Sequence, residues 1–177
     1  MRQSTTRILI GFMSLISVSL MAQSPVTAQV TLNNATSNQV IFIVRHAEKL
    51  DGKDPDLSEQ GKLRALRLAT VLSSTSLNKV YSTDYNRTRE TATAVTQDQQ
   101  VELSIYDPRD MAAFTQQLLT EQGNILVVGH SNTSTGLVEG LGADKQLPID
   151  DASEFDRLYI VTLNANKQMV STVLLRY

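Results

Sequence analysis

The sequence predicts an α/β fold built around a mainly parallel sheet. Short apolar runs rich in β-branched residues alternate with amphipathic segments along most of the chain. Two of these runs, 40–44 and 125–128, are continuously apolar, as expected of strands that are covered on both faces. The chain has 177 residues, the length of one domain with a leader. Strands alternating with helices in a chain of this size favour helical layers packed on one central sheet.

The first 28 residues predict a secretory signal peptide. Arg2 and Arg7 precede an uncharged, mostly apolar run at 8–22. This run is shorter than the roughly 20 residues that span a bilayer. Small residues suited to cleavage end at Ala22 or at Ala28, and the pattern leaves both sites open. We therefore expect a periplasmic or secreted protein with no stable membrane span after cleavage.

The remainder of the chain predicts a linker followed by a single domain. Residues 29–38 are polar and are typical of a flexible linker. The domain, 39–177, begins with the buried strand 40–44. A helix is predicted over 58–72, because Ser58 can cap it and the apolar residues after it recur at helical spacing.

The alternation continues through the middle of the domain. Short strands are predicted at 79–82 and 101–105, with a short helix at 88–95 between them. Asp110 can cap a third helix. The apolar face of that helix holds Met111, Phe114 and Leu118.

The last part of the domain predicts a buried strand, a helix and a hairpin. The strand is 125–128, and the helix is 134–141, ending at Gly142. Strands at 158–162 and 170–175 close the chain. Ligands of open α/β sheets bind beyond the carboxyl ends of the strands, so the residues that follow each strand are the candidate site.

Composition excludes several kinds of chemistry. The chain has no cysteine, which excludes disulfides, thiolate zinc sites and thiol nucleophiles. The net charge of −2, without a basic stripe, argues against a nucleic-acid partner. Only two histidines occur, His46 and His130. Each lies two positions after the end of a predicted buried strand. Two histidines at one edge of a sheet favour a functional site.

Two arginines, Arg45 and Arg87, accompany the histidines at this edge. A guanidinium group matches phosphate or carboxylate, so the pattern indicates an anion pocket. The same arginines would repel a metal ion, and no metal site is predicted. Ser131 follows His130, but the Gly-x-Ser-x-Gly turn of a serine hydrolase is missing.

The motifs around these residues resemble those of the histidine phosphatase superfamily, branch 1, which is also called phosphoglycerate mutase-like. Four segments carry the resemblance, in family order: Arg45-His46-Ala47, Leu57-Ser58-Glu59-Gln60-Gly61, Ser82 to Arg87 with Thr91-Ala92, and Val127-Val128-Gly129-His130. Ala47 stands where the family usually has glycine. Together the motifs cover most of residues 40–141.

This resemblance implies a three-layer α/β/α sandwich with a mostly parallel sheet of about six strands. It also implies a phosphatase that works without metal or cofactor through a phosphohistidine. His46 would carry the phosphoryl group and His130 would assist it, most strongly as an imidazolium. The substrate-binding side chains are expected to be Arg45, Arg87, Lys49 and Asn132.

The same resemblance places the proton donor in the loop after the third strand. Asp107 and Asp110 stand there, where glutamate is more common in the family. Asp110 can serve as the helix cap, and Asp107, before Pro108, can start a turn. We predict Asp107 as the donor, with Asp110 as the alternative.

The expected function is an exported phosphatase acting on a small phosphomonoester or an envelope phosphate. A phosphomutase and a non-catalytic phosphate-binding module of the same fold are the alternatives. The loops 50–56 and 144–155 lie outside the shared motifs and are expected to select the substrate.

Overall fold

The structure is a computed structural model that describes residues 38–177. The predicted signal peptide and residues 29–37 of the predicted linker lie outside the described residues. Ten elements follow one another along the chain: β1 (Gln39–Arg45), α1 (Glu59–Leu72), β2 (Leu77–Ser82), α2 (Asn86–Gln99), β3 (Leu103–Ile105), α3 (Met111–Thr120), β4 (Asn124–Gly129), α4 (Ser131–Gly140), β5 (Arg157–Leu163) and β6 (Met169–Arg176).

The six strands form one sheet in the order β3-β2-β4-β1-β5-β6. The pairs β1–β4, β2–β4 and β2–β3 are parallel, whereas β5 pairs antiparallel with both β1 and β6. This arrangement confirms the predicted α/β fold with a mostly parallel six-stranded sheet.

The two faces of the sheet are covered by different helices. Ile41 and Ile43 of β1 pack in one core cluster with residues of α3 and α4. Phe42 and Val44, which point the opposite way, pack in a second cluster with α1 and α2. The alternation of side chains along a strand therefore produces the three layers.

Two predicted helix caps are present. The Ser58 hydroxyl accepts a hydrogen bond from the Gly61 amide, at 3.1 Å, where α1 begins. The Asp110 carboxylate accepts one from the Ala113 amide, at 3.0 Å, at the start of α3. Local sequence was sufficient here because a capping side chain acts within three residues.

The α2 helix is longer than predicted, beginning at Asn86 instead of residue 88. Its N-cap residue, Tyr85, supplies no side-chain cap. The Asn86 amide instead donates to the Asp54 carboxylate, at 3.0 Å. Because this capping group comes from another loop, no local pattern announces it.

Pairing of β1 with β4 sets the position of the candidate site. Arg45 lies opposite Gly129 in the parallel register, and the His46 amide donates to the Gly129 carbonyl at 2.9 Å. His46 and His130 therefore leave adjacent strands at the same edge. Among residues 38–177, no helix combines the length and the apolar character needed to cross a membrane.

Candidate active site

The two histidines lie side by side beyond the carboxyl ends of β1 and β4. Their ring centroids are 5.6 Å apart, with the planes inclined at 72°. His46 is 3 % exposed, and the His130 ring also contacts Tyr85, at 5.2 Å between centroids. The structure therefore brings both histidines to the same edge of the sheet, next to each other.

Hydrogen bonding fixes the protonation of the His46 ring. Its Nδ1 lies 2.8 Å from the Ala47 carbonyl oxygen. A carbonyl can only accept, so Nδ1 carries the hydrogen and Nε2 keeps its lone pair. The Ala47 amide donates to Thr91 Oγ1 at 3.0 Å, and that hydroxyl donates to the Arg87 carbonyl at 2.7 Å. Thr91 therefore anchors Ala47, the residue whose carbonyl orients the histidine ring.

Burial keeps both rings neutral. It is the main cause that lowers the pKa of His46 to about 3, and the positive charges of Arg45 and Arg87 lower it further. The pKa of His130 is lowered to about 4 by burial and by the same arginines. At neutral pH the fixed positive charge of the site is therefore supplied by the two guanidinium groups, and His46 is in its nucleophilic form.

Arg45 is buried, and its outer nitrogens bind the segment that precedes β5. Nη1 donates to the carbonyls of Asp150 and Glu154, and Nη2 donates to the carbonyl of Asp151. The Asp151 carboxylate also lies 2.7 Å from Nη2. Phe155 covers the guanidinium at 4.2 Å and lies 6.1 Å from the His46 ring. This loop therefore forms one wall of the site.

Arg87 reaches the same site from the first turn of α2. Its guanidinium carbon lies 4.6 Å from the centre of the Tyr85 ring. Nη1 is 3.5 Å from the Asp54 carboxylate, a long contact that leaves most of the donor capacity unused.

Three polar atoms of this cluster are buried without a partner. Among residues 38–177, five buried side-chain nitrogen or oxygen atoms make no hydrogen bond, and three of them are Arg45 Nε, Arg87 Nε and His130 Nε2. Buried polar groups are normally paired, so unpaired ones clustered beside a nucleophile indicate a ligand. Two guanidinium N–H groups together with an imidazole suit an oxyanion such as phosphate.

Part of the chain matches a known family model. Residues 41–110 match the model of the histidine phosphatase superfamily, branch 1. The fold and the motifs of this protein are similar to those of the histidine phosphatase superfamily, branch 1. No curated protein sequence matches the chain.

Solved structures share the histidine phosphatase fold at low sequence identity. One is the protein histidine phosphatase SixA complexed with tungstate, with a TM-score of 0.63 and 19% identity over 77% of this chain and 96% of that one. A mycobacterial glucosyl-3-phosphoglycerate phosphatase gives 0.62 and 11% over 80% and 99%. A phosphoglycerate mutase from Plasmodium falciparum gives 0.56 and 16% over 80% and 91%.

Asp107, the predicted proton donor, forms an ion pair with a neighbouring residue. Its carboxylate pairs with the Arg109 guanidinium through Nε and Nη2, at 2.7 to 3.1 Å. Hydrogen bonding to Arg109 lowers the pKa of Asp107 to about 2, so the group is ionised at neutral pH. Asp110 instead caps α3.

Two predicted substrate ligands lie outside the cluster of unpaired donors. The Lys49 side chain is exposed, and within residues 38–177 it forms no ion pair. Its backbone bridges to Leu57. Asn132 is exposed in the first turn of α4, beside a separate cleft of about 370 Å³ that also contains Lys145 and Pro148.

Three residues of the site were not singled out from the sequence. Thr91 belongs to a recognised motif, but its hydrogen bond to Ala47 cannot be read from spacing. Tyr85 lies two residues before Arg87, a local signal that was available. Phe155 comes from a loop more than a hundred residues after His46, and no pattern in the sequence connects them.

Proposed function

We propose that this protein is an exported phosphatase that hydrolyses a phosphomonoester through a phosphohistidine on His46. The observation that carries the proposal is a neutral His46 with a free Nε2, close to three buried nitrogen atoms that lack partners, two of them guanidinium donors. Family members are phosphatases or mutases, and the similar structures include two phosphatases. The signal-like pattern at 1–28 supports export to the periplasm or beyond.

In the first step, Nε2 of His46 attacks phosphorus while the bond to the leaving oxygen breaks. Arg45, Arg87 and His130 donate to the phosphoryl oxygens, where charge accumulates. The leaving oxygen receives a proton and departs as an alcohol. A water then attacks the phosphohistidine, which releases inorganic phosphate and restores the neutral ring.

Asp107 is the proposed proton donor, and it takes a proton back from the attacking water in the second step. It lines the same cleft as Tyr85, whose ring contacts His130. Because Arg109 keeps the carboxylate ionised, this exposed ion pair has to open before the group can donate a proton.

The binding of phosphate is expected to change the state of His130. In the structure its pKa is about 4, so it is neutral at pH 7. A phosphate dianion beside the ring would favour the charged form and raise this pKa. The imidazolium expected from the family resemblance would then form only when substrate binds.

The decisive experiment measures phosphate release by the wild type and by His46→Ala. We expect the variant to lose release by at least about 10⁴-fold, because no nucleophile remains. Rapid quenching of the wild type with labelled substrate should trap an acid-labile, base-stable phosphoprotein that His46→Ala does not form. Turnover retained in a folded His46→Ala variant would contradict the mechanism.

Two further measurements separate the alternatives. Binding of phosphate without turnover would indicate a non-catalytic module. Isomerisation of phosphoglycerates would indicate a mutase. Activity that survives EDTA is expected, since the proposed pocket obtains its positive charge from arginine.

A further inference from the structure

A cleft of about 460 Å³ lies beyond the ends of β2 and β3. It adjoins the proposed phosphate pocket, which is formed by His46, His130, Arg45 and Arg87. Its walls include Asp84, Tyr85, Ile105, Asp107, Pro108 and Arg109. Its floor is Tyr106, which is buried and stacked on Phe114 with ring centroids 3.9 Å apart. The stacked pair gives the cleft a rigid base.

Tyr85 connects this cleft to the phosphate pocket. Its ring lines the cleft, contacts the His130 ring at 5.2 Å and lies 4.6 Å from the Arg87 guanidinium carbon. In an in-line displacement the leaving group points away from the nucleophile. It therefore needs a surface that begins at the phosphate pocket and continues outward, as the surface of Tyr85 does.

The acidic side chains that line the cleft already have ion-pair partners. Asp107 is bound by Arg109, and Asp84 is bound by Arg89. The cleft also has an apolar surface, to which Tyr85, 38 % exposed, and Ile105, 49 % exposed, contribute. Exposed apolar side chains grouped in a concavity favour an apolar ligand.

We propose that this cleft binds the leaving group of the substrate, and that the preferred leaving group is an apolar or aromatic alcohol. The proposal rests on the proposed phosphatase function, because it assigns a leaving group to that reaction. Ile105 is the specificity-determining residue, since it lines the cleft at the end of β3 and is not among the side chains proposed to bind the phosphoryl group.

The test compares 2-phenylethyl phosphate with ethyl phosphate, whose leaving alcohols have similar acidity. We expect the wild type to favour the phenyl substrate by about tenfold or more in kcat/KM, because part of the ring leaves water. Ile105→Asp should reduce this preference to about twofold or less. Leu63→Asp is the matched control, since Leu63 lies on α1, is 68 % exposed and is outside the cleft.

Affinities for 2-phenylethylphosphonate and ethylphosphonate, which cannot be hydrolysed, give a readout that does not need turnover. Tighter binding of the phenyl compound by the wild type, with no such preference in Ile105→Asp, would support the proposed role of the cleft. This holds even if neither phosphate ester is hydrolysed. A lack of hydrolysis would overturn only the proposed phosphatase function. Equal affinities for the two phosphonates would overturn the inference, as would a loss of preference in Leu63→Asp equal to that in Ile105→Asp.

Discussion

At the scale of single residues, the proposed role of Asp107 as proton donor to the leaving oxygen can be tested by substitution. We expect Asp107→Asn to reduce kcat on an alkyl phosphate by about 100-fold, the usual contribution of a general acid. The loss on p-nitrophenyl phosphate should be below about fivefold, because nitrophenolate leaves without a proton. Steady-state kinetics on the two substrates checks this prediction.

The control for that experiment is Asp110→Asn. Asparagine caps a helix as well as aspartate does, so this variant removes a charge and retains the cap of α3. It should behave as the wild type on both substrates. If Asp110→Asn shows the loss confined to alkyl phosphates, Asp110 is the donor instead.

Thr91 is expected to act as a positioning residue for His46. Thr91→Val leaves the buried Ala47 amide without an acceptor, which loosens the residue whose carbonyl holds Nδ1. We expect kcat to fall by about 10- to 100-fold and Thr91→Ser, which keeps the hydroxyl, to restore most of it.

Thr93→Val provides the matched comparison. Thr93 makes the same kind of bond one turn back along α2, to the Arg89 carbonyl at 2.7 Å, but does not contact the peptide after His46. Its kcat should stay within about twofold of the wild type. Equal losses in Thr91→Val and Thr93→Val would mean that the helix, not the positioning of His46, was disturbed.

At the scale of secondary-structure elements, α1 approaches the segment after His46 at a glycine. A Cβ on Gly61 would lie 1.9 Å from the Glu48 carbonyl oxygen. Gly61→Ala should therefore lower the free energy of unfolding by about 1–3 kcal/mol, the usual cost of overpacking. Gly136→Ala, in α4, meets no atom within 4 Å and should be neutral or stabilise by up to about 1 kcal/mol. Urea denaturation of both variants is the measurement, and equal destabilisation would contradict the close approach.

Elements were predictable from the sequence where their signals are local. The strands, the order of the helices and the caps at Ser58 and Asp110 depend on neighbours within a few residues. The start of α2 was misplaced because its capping carboxylate, Asp54, lies 32 positions earlier. The pairing of Asp107 with Arg109, only two residues apart, was within reach of sequence reasoning, and it bears directly on the proton donor.

The candidate site shows the same division. The identities of His46, His130 and Arg87 follow from their places after strands and in motifs. The hydrogen-bond partners of the outer nitrogens of Arg45 could not be predicted from the sequence. They are carbonyls of the loop before β5, more than a hundred residues away along the chain. A main-chain carbonyl also leaves no signature in a sequence.

At the scale of the whole molecule, burial of both histidines couples stability to pH. Unfolded histidine has a pKa of about 6.5, whereas His46 and His130 have folded values of about 3 and about 4. Between pH 7.5 and pH 5 the unfolded chain therefore takes up protons that the folded chain does not. The free energy of unfolding must fall as the pH falls through this window. Linkage gives a loss of about 2 kcal/mol for His46, and of about 1 kcal/mol for the less buried His130 once solvent screening is allowed for.

The chain contains no other histidine, so this loss can be assigned by substitution. Carboxylates titrate mainly below pH 5 and contribute little within the window. Urea denaturation at pH 7.5 and pH 5 should show a loss of about 3 kcal/mol in the wild type and almost none in the double variant His46→Gln, His130→Gln. His46→Gln alone should retain only the smaller share that belongs to His130. A double variant with the pH dependence of the wild type would show that groups other than the two buried histidines set the acid sensitivity of the fold.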